Sequence, residues 1–285
     1  MRAQPAKGRE SMFKLDEDIQ RTYFRLAEYQ RQRLWIERLR HPEKLRWTKG
    51  EPPKRSETTM RRVEVLASMG FDEVFYERMV KGEDESSKEL TPLVQSHVLW
   101  PHMERIKILA GPYLGGAFIA AGGDIKRCPT ASAFWYGMGL DILPDGTVPR
   151  RKRGLKDVER KVPALPFVTK VGEQIRMQIN RTVDSKTRSM YEQNRAMVDA
   201  KNLDRPILFD FKDALRRTQK VLYACLWEEW RKGYGLEAPW PYAFAILKHN
   251  NGSRITIKDF YDEPAKERSR KTGATATVGV ARSNG

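Results

Sequence analysis

The sequence predicts a mainly α protein: a helix-hairpin-helix core, one small β-hairpin, and an N-terminal helical region that suits a coiled coil or ordinary packing within the chain. Three observations predict this. Long stretches without Gly or Pro place apolar residues three and four apart, which puts them on one helix face. Residues 111–140 are instead small, apolar and glycine-rich, as a tight turn between closely packed helices requires. Pro144-Asp145-Gly146 separates Leu140–Leu143 from a basic run that begins at Thr147, the pattern of a hairpin turn.

In chain order, residues 1–12 read as a disordered tail. From Phe13 to about Arg40 a helix carries Leu15, Ile19, Tyr23 and Leu26 on one face, and Pro42 ends it. Beyond Leu26 the apolar stripe moves round towards Tyr29, Ile36 and Leu39, so residues 13–40 suit a homo-oligomer as well as an intramolecular partner. TKGEPPKRSE (48–57) reads as a linker. A second helical region runs from about Glu57 through Val80 with a break near Gly70, and GEDESSKE (82–89) reads as an acidic connector. Residues 90–109 are helical and interrupted at Pro101.

Further on, Val168, Val171, Ile175 and Ile179 mark a helix within 163–184, and a polar helix follows over 185–200. The strongest periodicity is at 207–232, through Leu208, Phe211, Leu215, Leu222, Cys225 and Leu226. The chain thus divides into a tail (1–12), an N-terminal helical region (13–90), a core domain (91–249) and a polar, largely disordered tail (250–285).

Among the 285 residues, 53 Lys and Arg stand against 37 Asp and Glu, a net charge of +16. That surplus favours a polyanionic partner, because neutralising phosphates releases condensed counterions. No apolar run approaches the roughly 18–20 residues of a membrane span, and MRAQPAKGRESM lacks the apolar centre of a secretory signal. The expectation is a cytoplasmic, nucleoid-associated protein with no membrane partner. Cys128 and Cys225 are far apart with no CxxC or CxxH companion, so they read as reduced thiols. His97 and His102 are five apart, off the same-face helical spacing, and no metal site is legible. No cofactor is expected, with Mg2+ required only if the chain cleaves DNA.

Ile106, Leu109, Leu114, Phe118 and Ile119 bracket Gly111-Pro112 and Gly115-Gly116, the layout of a helix-hairpin-helix. Such a turn uses small residues so that backbone N–H groups at the second helix's start approach a phosphate. The same glycines and alanines also suit close helix packing. Lys126, Arg127 and the run Arg150, Arg151, Lys152, Arg153 with Lys156 would add phosphate contacts. Of the consecutive aromatics Phe134, Trp135 and Tyr136, two should be core, and an exposed one could stack on bases.

These residues also carry a resemblance. Gly111-Pro112, Gly123-Asp124-Ile125, Pro129-Thr130-Ala131-Ser132, Trp135-Tyr136, Gly139-Leu140 and the basic RRKRG at 150–154 follow the order seen in the C-terminal domain of bridge-RNA-guided insertion-sequence transposases. That family pairs a RuvC-like domain with a serine-bearing one. The resemblance covers about residues 98–235, including the LWEEWR helix. It implies a mobile-element DNA-binding protein, with DNA and guide or structured RNA as partners.

Two departures matter. The chain begins with helices rather than a carboxylate-bearing strand domain, and Thr147 stands where the family has a serine. The expectation is therefore a truncated, transposase-like protein without autonomous catalysis. One alternative is an active recombinase with Thr147 as its hydroxyl nucleophile. The other is a nucleic-acid-associated structural or assembly protein. Thr130 or Ser132 reads as a helix cap, Asp124 as a brace for its turn, and Arg216 and Arg217 as an extension of the basic surface.

Overall fold

The computed structural model describes residues 6–40, 68, 70, 73–140, 165–181, 183–200, 207–239 and 254–262. Eight α-helices, and no strand, are found among them: α1 (Ala6–Arg40), α2 (Glu73–Gln95), α3 (Trp100–Met103), α4 (Pro112–Gly122), α5 (Ala131–Met138), α6 (Leu165–Asn180), α7 (Lys186–Asp199) and α8 (Ile207–Gly233). Short 3-10 turns sit at Ile125–Arg127 and Ile257–Phe260. The hairpin expected around Pro144–Gly146 lies outside the described residues.

The stripe on α1 is buried, with Ile19, Leu26 and Ile36 at its centre. It meets α2 and α4 of its own chain. α1 and α2 run antiparallel: Glu37 pairs with Tyr76, Arg33 with Glu83, Arg25 with Ser86 and Glu89, and Thr22 with Glu89. The register brings the ring of Tyr29 against Gly82, where an added Cβ would lie 2.5 Å from the ring. GEDESSKE is thus not a connector but the middle of α2. Two of its four acids, Glu83 and Glu89, pair with Arg33 and Arg25 of α1, while Asp84 and Glu85 pair with Lys88 and Lys81 one turn away on α2 itself.

Three other boundaries differ from those the sequence suggests. The helix starts at Ala6, and Met12 packs against the core, so residues 6–12 are no tail. A limit at residue 90 would cut α2 beside Leu90, which is buried in the same cluster as the core of the later helices. Residues 254–262 are no loose tail either, because Ile257 and Phe260 are buried against the core.

α4 runs through the centre. Ala117, Phe118 and Ile119 are fully buried, and α4 contacts both α1 and α2. The C-terminal half of α8 supplies the opposing wall, with Tyr223, Leu226, Trp227 and Trp230 at zero exposure. Phe118, Phe134 and Trp230 form an aromatic cluster in which Phe134 meets Trp230 edge-on, as ring quadrupoles favour, and Phe118 is tilted against both.

Candidate nucleic-acid interface

The helix-hairpin-helix is only half realised. Its first member is α3, four residues followed by turns as far as Leu109, and its second is α4. Gly111 is the N-cap in an extended conformation and Pro112 opens the helix, where its missing N–H is harmless. No side chain caps this end among the described residues. Tyr113 presents its hydroxyl to the Lys170 ammonium, and its ring lies 5.5 Å from that of Tyr23. Burial, and then the neighbouring Tyr113, push the Tyr23 phenol above its usual range, so it stays protonated.

Gly115 and Gly116 are placed differently from Gly111. Both are buried inside α4, and the Gly115 N–H is bonded to the Gly111 carbonyl. An added Cβ would meet Val94 at 3.0 Å from Gly115 and Leu90 at 3.1 Å from Gly116. They serve the close approach of α4 to α2.

The turn after α4 displays the basic pair. Gly123 leaves the helix with φ +65°, a region that favours glycine. Asp124 then accepts the Lys126 N–H at 3.0 Å, as a brace should, and lies 3.4 Å from the Arg127 guanidinium. From behind, buried Arg231 donates to the carbonyls of Ile125 (3.0 Å) and Cys128 (3.1 Å), and the Trp227 indole donates to Cys128 at 2.9 Å. The turn is therefore fastened to α8 through its backbone while its cations face outward. Lys126 Nζ sits 3.3 Å from the Phe13 ring centroid, and the Arg127 side chain is 86% exposed.

Thr130 caps α5, accepting the Ala133 N–H at 3.1 Å. Phe134 and Trp135 are core and Tyr136 is exposed, the division expected of these aromatics. Arg216 and Arg217 do not extend the open surface, since both are half-buried and paired with Asp213. Thr147, Arg150, Arg151, Lys152, Arg153 and Lys156 lie outside the described residues. No cluster of three His, Cys, Asp or Glu that could hold a metal ion occurs among the described residues, and none of their helices is long and apolar enough to cross a membrane.

Two constellations escape sequence reasoning. The first is buried: Asp16 Oδ1 accepts from His97 Nε2 (2.9 Å) and from the Tyr234 hydroxyl (2.5 Å). The Leu99 N–H donates to His97 Nδ1 at 3.1 Å, which places the imidazole hydrogen on Nε2. These residues come from α1 and from the turns that follow α2 and α8, with separations of 81 and 218 residues that no local pattern reveals.

The second is at the surface. Tyr261 lies over the Arg105 guanidinium, and Asp262 accepts backbone N–H groups from Lys107 and Lys186, each at 2.8 Å. The helical surface also carries many cations already paired with acids, including Arg25, Arg33, Arg188, Arg195 and Lys232. Comparisons with models of known protein families, with curated proteins and with solved structures return no match for this chain.

Proposed function

We propose that this chain is a DNA-binding protein of a mobile element, holding the phosphate backbone without autonomous catalysis. The observation that carries the nucleic-acid reading is the 123–128 turn, which Arg231 and Trp227 fasten through its carbonyls while Lys126 and Arg127 face solvent. A rigid mount of this kind reduces the ordering cost of a phosphate contact. The start of α4, which no side chain of the described residues caps and beside which Lys170 lies, supports a second contact of the same type. More than half of the chain's net positive charge lies in sequence segments beyond the described helices, including the run at 150–153. The mobile-element context rests on the family resemblance of residues 98–235, as does a guide or structured RNA as an additional partner.

The test is binding of labelled duplex DNA, single-stranded DNA and structured RNA across a salt series. Lys126→Ala with Arg127→Ala should flatten the log–log salt slope by up to about 0.9 per lost duplex phosphate contact. Changing residues 150–153 to alanine should flatten it further. Absence of salt-dependent binding to all three nucleic acids overturns the reading. DNA cleavage that disappears in Thr147→Ala would instead establish the recombinase alternative.

A further inference from the structure

We propose that the site holding Tyr261 and Asp262 is a nucleotide-binding subsite, occupied here by the chain's own segment 254–262. For its physiological ligand the inference rests on the nucleic-acid reading above, and it deepens that reading to strands whose bases are accessible. The Tyr261 ring lies 3.9 Å from the Arg105 guanidinium and stacks beside His102, 24° from coplanar, with its hydroxyl bonded to His102 Nδ1. No carboxylate of the described residues forms an ion pair with Arg105. The next residue supplies an anion. Asp262 Oδ2 accepts from the Lys107 N–H and Oδ1 from the Lys186 N–H, so amides of two separate elements converge on one carboxylate.

Lys186 is the first residue of α7, where the helix dipole favours negative charge. A flat π-system on a guanidinium, followed at once by an anion on paired amides, is the chemistry that recognises a base and its phosphate. The segment's backbone is held here by one bond, the Asp262 N–H donating to the Arg105 carbonyl at 2.8 Å, and its remaining anchorage lies elsewhere. Ile257 and Phe260 are buried, Arg254 pairs with Glu228, and Thr256 and Asp259 close a capping box. Tyr261 and Asp262 are only half-buried, so they can yield to a competing ligand while Phe260 keeps its place. Occupied by its own residues, the subsite is closed to a strand until the pair is displaced.

The experiment replaces the occupying pair in the full chain, Tyr261→Ala with Asp262→Asn, and measures thermal unfolding against AMP, adenosine and inorganic phosphate. AMP should raise the melting temperature of the double variant saturably and leave the wild type unchanged. Adenosine and phosphate should each give part of the effect, and adding Arg105→Ala should remove the adenosine part. A segment that only fastens the fold gives a less stable variant with no AMP response beyond the wild type's, and that result overturns the inference. Should the double variant fail to fold, Tyr261→Ala alone retains the Asp262 bonds and is read with adenosine by the same criterion.

A fluorescent oligodeoxyadenylate separates this inference from the reading beneath it. The double variant should bind it about ten-fold tighter than the wild type, the scale of one added base stack. Salt-dependent oligonucleotide binding without an AMP response ends the subsite and leaves the broader reading standing. An AMP response without oligonucleotide binding does the reverse.

Discussion

Replacing Gly122 with alanine should destabilise the fold by about 1–2 kcal/mol, whereas the same change at Gly111 should not. The Cβ added at Gly122 would lie 2.7 Å from Trp230 Cζ3 and 3.1 Å from Phe134 Cε2. Trp230 cannot retreat, because it is fully buried and packs edge-on against Phe134, His97 and Tyr234. Overpacking of this kind costs about 1–3 kcal/mol, while alanine returns at most about 1 kcal/mol of helix propensity, less at the last helical residue. The contact wins. In a chain of this size the net corresponds to a fall of roughly 3–6 °C in melting temperature.

The neighbouring positions are internal controls. Gly123 has no atom within 4 Å of its would-be Cβ, so Gly123→Ala should fail through its φ of +65° alone, by about 1–3 kcal/mol. Gly111 has open space and φ −95°, but it is the N-cap of α4, where alanine is the poorer residue, so a gain of about 0.4–1 kcal/mol through the unfolded chain is offset by a capping loss of similar size and alanine there should be near neutral. Thermal and urea unfolding followed by circular dichroism would measure all three. A Gly122→Ala protein that melts at or above the wild type, or a Gly111→Ala protein that falls as far, refutes the contact argument.

Three further outcomes are expected. Asp16→Ala strands two buried donors, on His97 and Tyr234, and should cost about 2–4 kcal/mol, read from urea unfolding. Burial holds the His102 imidazole below the ordinary histidine range, so the unfolded chain takes up a proton there before the native one does. Stability from His102 is therefore complete above about pH 6.5 and declines as pH falls, and His102→Gln should flatten that decline in unfolding curves across this range. Burial also raises both thiols, Cys225 far more than Cys128, so a maleimide should label Cys225 only on unfolding while Cys128 reacts slowly in the native protein.

How much could be read from the sequence depended on the distance over which a residue finds its partner. The helices at 165–180, 186–199 and 207–233, and the first helix from Phe13 onward though not its first turns at 6–12, were legible because each carries its own apolar stripe or local cap, such as Ser185, whose hydroxyl accepts the Arg188 N–H. The middle of α2 was not, since five of the eight residues in GEDESSKE are charged and two of its acids, Glu83 and Glu89, find their partners in arginines some 50 to 64 residues earlier. In the candidate interface, Asp124 and Thr130 were legible as caps because capping is local. Arg231 and Trp227, which hold the same turn, were not, because they bond to carbonyls about a hundred residues away and backbone carbonyls leave no mark on composition. The pair Tyr261-Asp262 was hidden for the same reason, in a stretch whose polarity reads as a tail.

The bond network around Tyr234 also sets an order of events during synthesis. Its hydroxyl reaches the Met12 carbonyl and the Asp16 carboxylate across 222 and 218 residues of chain. At about 5–20 residues per second the ribosome needs roughly 10–40 s to make that stretch. Throughout that interval the start of α1 exists without its final latch, and a nascent chain halted before Tyr234 presents Phe13 and its neighbours to chaperones and proteases instead.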